Sequence, residues 1–471
     1  MTEPGRRRSL FPASRGAFVA DRLIRPAQAF LHTEAAGGVV LLVAAIIAII
    51  WANSPWDQQY FDLWHTELVF DFHLFAIDED LGHLVNDGLM AIFFFVVGLE
   101  IKRELVHGEL ASPRRAIFPV AAALGGMIMP ALIFTAWNFG GEGAHGWGIP
   151  MATDIAFAVG VLSLVGSRVP FSLKVFLLAL AIADDLGAIV VIAVFYTESL
   201  SMEAIAWGAG LLAVVIGMRM AGVRATYLYL FVGALFWVAV LKSGIHATVA
   251  GVVLAMLTPA KPLHERRSFE ALASSLLERF RQARELGDEE MEEALLERME
   301  ELSRDSEAPL DRLEHALHPW VRYGIVPIFA LANAGVVVTS DTLSEALSSS
   351  VTLGIVTGLV FGKLIGITLF AWLSVRLGWA ALPAGVRWRD IGGVALLGGI
   401  GFTVSLFITG LSFDPAHVNL TNEAKMGILG ASAIAGLVGF IILRWEMPSQ
   451  PATVEAEAVP GVPSPEAGGG S

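Results

Sequence analysis

The sequence predicts an all-α polytopic membrane protein with twelve transmembrane helices. Spans 3–5 and 10–12 read as an inverted-topology repeat, with two broken helices crossing at mid-membrane. Three observations carry that prediction. The 471 residues are 55% apolar and 16% charged, with a mean hydropathy of +0.65, whereas soluble domains lie nearer about 45–50% and 25%. The apolar residues form long windows without the alternation of barrel strands. The basic residues gather on every second connection between those windows. A net charge of −14 argues against a nucleic-acid partner, and the absence of cysteine excludes disulfides and thiol chemistry.

The windows fall at about 36–53, 84–101, 116–137, 149–166, 173–196, 203–218, 225–241, 244–258, 319–337, 351–375, 391–410 and 425–444. Each approaches the roughly 20 residues that a bilayer crossing needs. Residues 1–32 form an arginine-rich cytoplasmic arm, and the first window reads as an uncleaved signal anchor. Loop 57–83 has no Lys or Arg and is extracytoplasmic, with period-2 character at 68–77 that predicts a short hairpin. Of the 31 basic residues only Lys242, Lys363 and Lys425 depart from one side, so both termini are expected in the cytoplasm. The membrane domain thus comprises 33–258 and 319–447. Between its parts, residues 259–318 form a cytoplasmic loop whose stretch 264–312 reads as a charged helical hairpin interrupted at Gly287, equally compatible with a merely solvated amphipathic face. The Pro- and Glu-rich tail 448–471 is expected to be disordered. The acidic excess resides in the two loops: 57–80 holds seven acids and no base, and 259–318 sixteen acids against nine bases.

Ionisable groups inside apolar windows cost about 2.5–3.5 kcal/mol each and mark functional candidates. They are Asp87, Glu100, Asp154, Asp184, Asp185 and Lys363. Asp184 and Asp185 sit centrally in "LALAIADDLGAIVVIAVF", out of reach of the headgroups. Neighbours on a helix diverge by about 100°, so one carboxylate can face a partner while the other faces a cavity. Such a pair suits alternate occupancy by a proton and a hard monovalent cation, as cation/proton exchange requires. Lys363 is central in "IVTGLVFGKLIGITLFAWL" and becomes tolerable if paired with one of the aspartates, in a switchable or a static pair. Pro150 and Thr153-Asp154 invite a break in the fourth span; Gly398, Gly399 and Gly401 invite one in the eleventh, or close helix packing. Asp154 would offset two positive helix starts, and Lys363 two negative helix ends. Matching interruptions in the two halves are the pattern of an inverted repeat. Asp87 and Glu100 serve equally as funnel-mouth or interfacial residues. "DRLEHALHPW" sets Glu314, His315 and His318 at the cytoplasmic start of the ninth span, as a pH sensor or as ordinary solvated residues.

The motifs "FFFVVGLEIKREL", "ATDIAFAVGVLSLVGSRVP", "LALAIADDLGAIVVIAVFYT", "LKSGIHATVAGV", "LEHALHPWV" and "GGIGFTVSLFI" occur in that order. Over residues 33–445, apart from the insert, the chain resembles the NhaA sodium/proton antiporters. That family is a standing example of the inverted-topology repeat, so the resemblance and the pattern of breaks are not independent support. The resemblance implies an electrogenic, pH-regulated Na⁺(Li⁺)/H⁺ antiporter of the bacterial cytoplasmic (inner) membrane, working by alternating access and requiring no cofactor. Asp185 would be the principal Na⁺/Li⁺ ligand, and Asp184 the partner exchanging between cation and Lys363. Thr153 and Asp154 would mark the crossing of extended segments. Glu100, Arg103, Glu104, Glu314, His315 and His318 would form the pH-linked cluster, and residues 66–80 the homodimer hairpin. Two departures stand out: the long loop beside the pH cluster, and Leu364 where proline often follows the lysine. The rival readings are a cation channel and an intramembrane aspartyl protease. The protease needs two aspartates facing each other from different helices, whereas this sequence sets two side by side.

Overall fold

The computed structural model describes residues 34–71, 76–197, 200–223, 226–262, 266–413 and 415–446. The N-terminal arm, the C-terminal tail and the turn of the hairpin at 72–75 lie outside them. The described chain is almost entirely helical, and all twelve apolar windows fall on helical segments. The elements that follow are α1 (Glu34–Ala52), α2 (Asp57–Trp64), β1 (Glu67–Asp71), β2 (Ala76–Asp80), α3 (Leu81–His107) and α4 (Pro113–Asn138). A 3₁₀ segment, Glu142–Met151, precedes α5 (Ile155–Val165), and then come α6 (Phe171–Phe195), α7 (Met202–Met220), α8 (Thr226–Leu241) and α9 (Thr248–Leu257). The insert supplies α10 (Arg266–Leu286) and α11 (Glu289–Asp305), separated by Gly287 with φ 69°. After it run α12 (Pro309–Trp320), α13 (Val326–Asn333), α14 (Ser340–Ser348), α15 (Ser350–Arg376), α16 (Trp388–Leu397), α17 (Phe402–Ser412) and α18 (Val418–Glu446).

By length and composition, six of these helices can cross a membrane: α3, α4, α6, α7, α15 and α18. Three sharply bent pairs bring the number to nine: α1 with α2 (117°), the 3₁₀ segment with α5 (44°), and α16 with α17 (50°). The apolar α8 and α9 are shorter. Length alone therefore supports fewer crossings than the twelve windows suggest, because breaks and short helices divide the apolar runs. β1 and β2 pair antiparallel, Glu67 opposite Asp80 and Asp71 opposite Ala76.

Small residues let the helices approach closely, as they must where lipid offers no hydrophobic drive to associate. Gly125 of α4 and Gly366 of α15 face each other so tightly that a β-carbon on either would run into the other's backbone. A β-carbon at Gly251 of α9 would run into the Ala91 backbone of α3, and one at Gly98 of α3 would crowd the Ala255 side chain of α9. Around these contacts runs a continuous apolar core, with Phe134, Ile149, Leu177, Phe329, Ile355, Leu359 and Ile400 fully buried. Residues such as Leu42, Ile46, Ile47 and Ile50 on α1 remain exposed, an outer apolar surface suited to lipid.

Candidate functional site

The two glycine- and proline-weakened stretches are broken, and the breaks meet. The first limb of the fourth window is 3₁₀ rather than α. Gly143, Gly146 and Gly148 weaken it, Pro150 lacks an N–H, and a β-carbon at Gly148 would stand 2.6 Å from the Tyr196 hydroxyl. The break at 152–154 is extended at Ala152 and Asp154. The connection between α16 and α17 is instead a turn, with Gly398 and Gly401 in helical backbone geometry and Gly399 N–H donating to the Leu396 carbonyl. Only one of the two crossing segments is therefore extended as expected. The segments are tied by Asp154 N–H donating to the Ile400 carbonyl (2.6 Å) and the Thr153 hydroxyl donating to the Gly398 carbonyl (2.7 Å). The glycines serve both readings at once: they open the helix, and Gly399 packs without room for a side chain against the Leu359 carbonyl of α15.

Asp154 sits at the starts of two helices. Its Oδ1 accepts from Phe157 N–H in the first turn of α5 (2.9 Å), and its Oδ2 accepts from Thr403 N–H and hydroxyl in the first turn of α17 (3.1 and 2.6 Å). Each helix start carries unsatisfied donors and a partial positive charge, so one carboxylate serves both. Lys363 follows a π turn, Gly358–Gly362, whose glycines lie against Pro130 and Pro150. Leu364 continues the helix, so α15 departs from regular α geometry before the lysine rather than after it. The Lys363 ammonium donates to Asp184 Oδ2 (2.7 Å) and Thr153 Oγ1 (2.9 Å). It therefore reaches the end of α16 through the Thr153 hydroxyl, not by a bond to a terminal carbonyl.

Asp184 and Asp185 lie mid-way along α6. Thr153, Asp154, Asp184, Asp185 and Lys363 are all 0–3% exposed. Among the described residues Asp184 Oδ1 is buried without a hydrogen-bond partner, an arrangement that is costly unless something else occupies its lone pairs. Two adjacent carboxylates, one held by an ammonium through a single oxygen, can exchange that ammonium for a hard cation without moving the helix. Hard cations prefer such oxygen ligands. Among the described residues no group of three or more His, Cys, Asp and Glu forms a preset metal cage, so any cation here would lean on two carboxylates and uncharged oxygens.

The expected pH-linked residues separate into two sets. Arg103 of α3 forms an ion pair with Glu314 of α12, and His318 Nε2 stands 3.7 Å from Glu100 Oε1. These four are brought together across α3 and α12. His315 instead lies 3.6 Å from Glu307 and is largely exposed, and Glu104 accepts from Glu109 N–H at the end of its own helix. Burial raises the Glu314 carboxyl above its usual range against the opposing pull of Arg103. Burial, then the charges of Arg322, Arg103 and His315, lower His318.

Asp87 is held in the π turn Leu84–Leu89, 3.8 Å from His246 Nδ1, while its carbonyl accepts from Trp237 Nε1 (3.1 Å). Thr403 was not among the residues singled out from the sequence, although it supplies two of the three bonds to Asp154. The signal was there: a hydroxyl in the first turn after a glycine break is a helix-start signature. Asp390 was also missed, because it precedes the eleventh window by one residue. It is buried, and the Arg387 backbone and guanidinium donate to it (2.8–3.2 Å).

A family model described as Na⁺/H⁺ antiporter 1 matches residues 28–443. The Na⁺/H⁺ antiporter NhaA 2 of Syntrophotalea carbinolica is 47% identical over 424 residues, covering 89% of this chain and 96% of its own. The Na⁺/H⁺ antiporter NhaA of Oleidesulfovibrio alaskensis is 48% identical over 430 residues, 90% of this chain and 94% of that one. The protein of that name from Wolinella succinogenes is 47% identical over 422 residues, 88% and 92% respectively.

Proposed function

The chain belongs to the Na⁺/H⁺ antiporter 1 family, and on that premise we propose that it exports cytoplasmic Na⁺, and Li⁺ likewise, in exchange for external protons at Asp184 and Asp185. It is a transporter rather than an enzyme. The observation that carries this reading is the buried, unpartnered Asp184 Oδ1 beside the Lys363–Asp184 pair, at a point where two helices break. Sodium binds between the two carboxylates once they have lost their protons, with Asp185 as principal ligand. The Lys363 ammonium then gives up Asp184 and keeps Thr153. Opening outward exposes the ion to external protons, which displace it, and the carrier returns. Because cation and proton compete for the same oxygens, neither crosses without the other, and the unequal charges moved make the cycle electrogenic. Asp154 contributes charge balance at two helix starts and does not need to touch the ion.

In this reading the twelve windows are twelve spans of a bacterial cytoplasmic membrane, both termini inside, with α4–α6 and α15–α18 as inverted repeats. The Glu100–His318 and Arg103–Glu314 pairs bridge α3 and α12 at the cytoplasmic face and tie exchange to pH. The strands β1 and β2 leave free backbone edges, which suit homodimer formation by strand addition through residues 66–80.

The test is Asp185→Asn reconstituted in proteoliposomes. Na⁺-dependent proton flux should vanish while the protein stays monodisperse. Flux at the wild-type rate would refute the assignment. A channel would instead show flux that neither saturates nor depends on a counter-moving proton.

A further inference from the structure

We propose that Arg322 is a positioning residue of the cytoplasmic cluster, a fixed positive charge that a slot at Gly37 of α1 holds beside the Glu100–His318 pair. It stands there in place of the proton that His318 would otherwise carry next to Glu100. On the reading above, in which that pair ties exchange to pH, Arg322 sets where on the pH scale the pair answers.

Three observations place the charge. Glu314, His318 and Arg322 recur every fourth residue along α12 and into the π turn Val321–Ile325, and side chains at that spacing share a helix face. That face meets α3, where Arg103 pairs with Glu314 and Glu100 lies 3.7 Å from His318. Arg322 is thus the next rung, one turn beyond His318. Its stem is fixed from another helix: Arg322 is half-buried, and a β-carbon at Gly37 would run into its Cγ and Nε. Glycine weakens the start of α1, and the space it leaves is the one that Arg322 fills. The guanidinium carbon lies 6.0 Å from the centre of the Tyr323 ring, at the reach of a cation–π contact.

The surrounding charges give the placement its consequence. Arg103 is answered by Glu314, whereas α13, and α1 from Gly37 onward, contain no ionisable residue. Among the described side chains the charges around Arg322 are Glu100 and Arg103 on α3, with Glu314, His315 and His318 on its own helix. The Arg322 charge bears on Glu100, and after burial it leads those that hold His318 below its usual value. A guanidinium does not lose its proton, so it competes at every working pH with the His318 proton for the neighbourhood of Glu100. The Glu100 charge is in turn among those felt at Asp185, which links the cluster to the cation site.

The experiment is thermal unfolding of the purified full-length protein across about pH 5.5–8, beside the pH profile of Na⁺-dependent proton flux in proteoliposomes. Without the guanidinium the folded pair keeps a proton to higher pH. The stability deficit of Arg322→Gln should therefore widen as pH rises through about 6.5. Its flux profile should move about half to one pH unit towards alkali, the size of a charge interaction across one helical turn. Arg322→Lys keeps the charge and should keep the wild-type slope and profile. Gly37→Ala removes no charge but displaces the flexible arginine, so it should reproduce the Arg322→Gln slope and add nothing to it in the double variant. A deficit of Arg322→Gln that is the same at every pH would mean that the side chain only fills space, and would overturn the proposal. So would a wild-type slope for Gly37→Ala, because the slot then positions nothing. If Gly37→Ala fails to fold, the two arginine variants still decide. Slopes that change as expected while every flux profile stays at wild type would uphold the placement of the charge and refute the pH reading of the cluster instead.

Discussion

Lys363→Ala tests the paired site quantitatively. The ammonium is fully buried and donates to Asp184 at 2.7 Å and Thr153 at 2.9 Å. Its removal strands a carboxylate whose other oxygen already lacks a partner. Breaking a buried pair from one side costs about 3–5 kcal/mol, and the lost aliphatic stem adds roughly 2 kcal/mol at ~0.8 per methylene. Thr153 keeps its bond to Gly398, so the crossing is not itself dismantled. The stranded carboxylate has an escape, which is to take a proton. The variant's folded state then binds a proton that its unfolded state has released, so its stability falls as pH rises. The deficit relative to wild type should therefore widen from acid to alkali. The assay is thermal unfolding of the purified protein across about pH 5–9, with Asp184→Asn/Lys363→Ala closing a double-mutant cycle. The double variant leaves no bare charge and should be more stable than Lys363→Ala at the alkaline end. A wild-type midpoint for Lys363→Ala, a deficit independent of pH, or a double variant no better than the single one would each refute the reasoning.

Three further expectations concern the surroundings of the site. Thr403→Val removes the shortest bond to the Asp154 carboxylate, 2.6 Å, and should cost about 1–3 kcal/mol; Thr403→Ser should restore the thermal midpoint. His318 is held below its usual value by burial first and then by Arg322, Arg103 and His315, so the unfolded chain protonates first as pH falls through about 6.5. Stability therefore drops on that acid limb, and His318→Gln should flatten it in midpoint-against-pH curves; an unchanged slope would count against the assignment. Leu310 N–H donates to the Pro259 carbonyl at 3.1 Å, so the flanks of the insert already meet. Replacing residues 263–307 by a short Gly-Ser linker should leave Na⁺-dependent proton flux in proteoliposomes intact, and loss of flux from a folded variant would show that α10 and α11 serve the cycle.

How far the chain's own order foretold this site depends on the range of the interaction involved. Apolar windows, the alternation of basic residues and the central positions of Asp184, Asp185 and Lys363 are local or periodic properties. They are legible because a group with no route to water must be apolar or be there for a purpose. The breaks were legible too, since proline and glycine weaken a helix wherever it packs. That the two breaks meet was expected from their matching places in the two halves; which atoms join them was not legible. That Asp154 binds Thr403, 249 residues away, depends on how the crossing is arranged in space. That Lys363 takes Asp184 was implied by the family resemblance, while the residues alone left open which aspartate it pairs with. Likewise Glu104 and His315 share the composition of the cytoplasmic cluster but not its contacts. Glu104 lies on the face of Glu100 but a turn further on, at the end of α3 beside Glu109, and His315 is turned about 100° from Glu314 towards Glu307. Charge inside an apolar run can be read one residue at a time, whereas partnership is decided by packing, where a 100° step per residue chooses what each side chain faces.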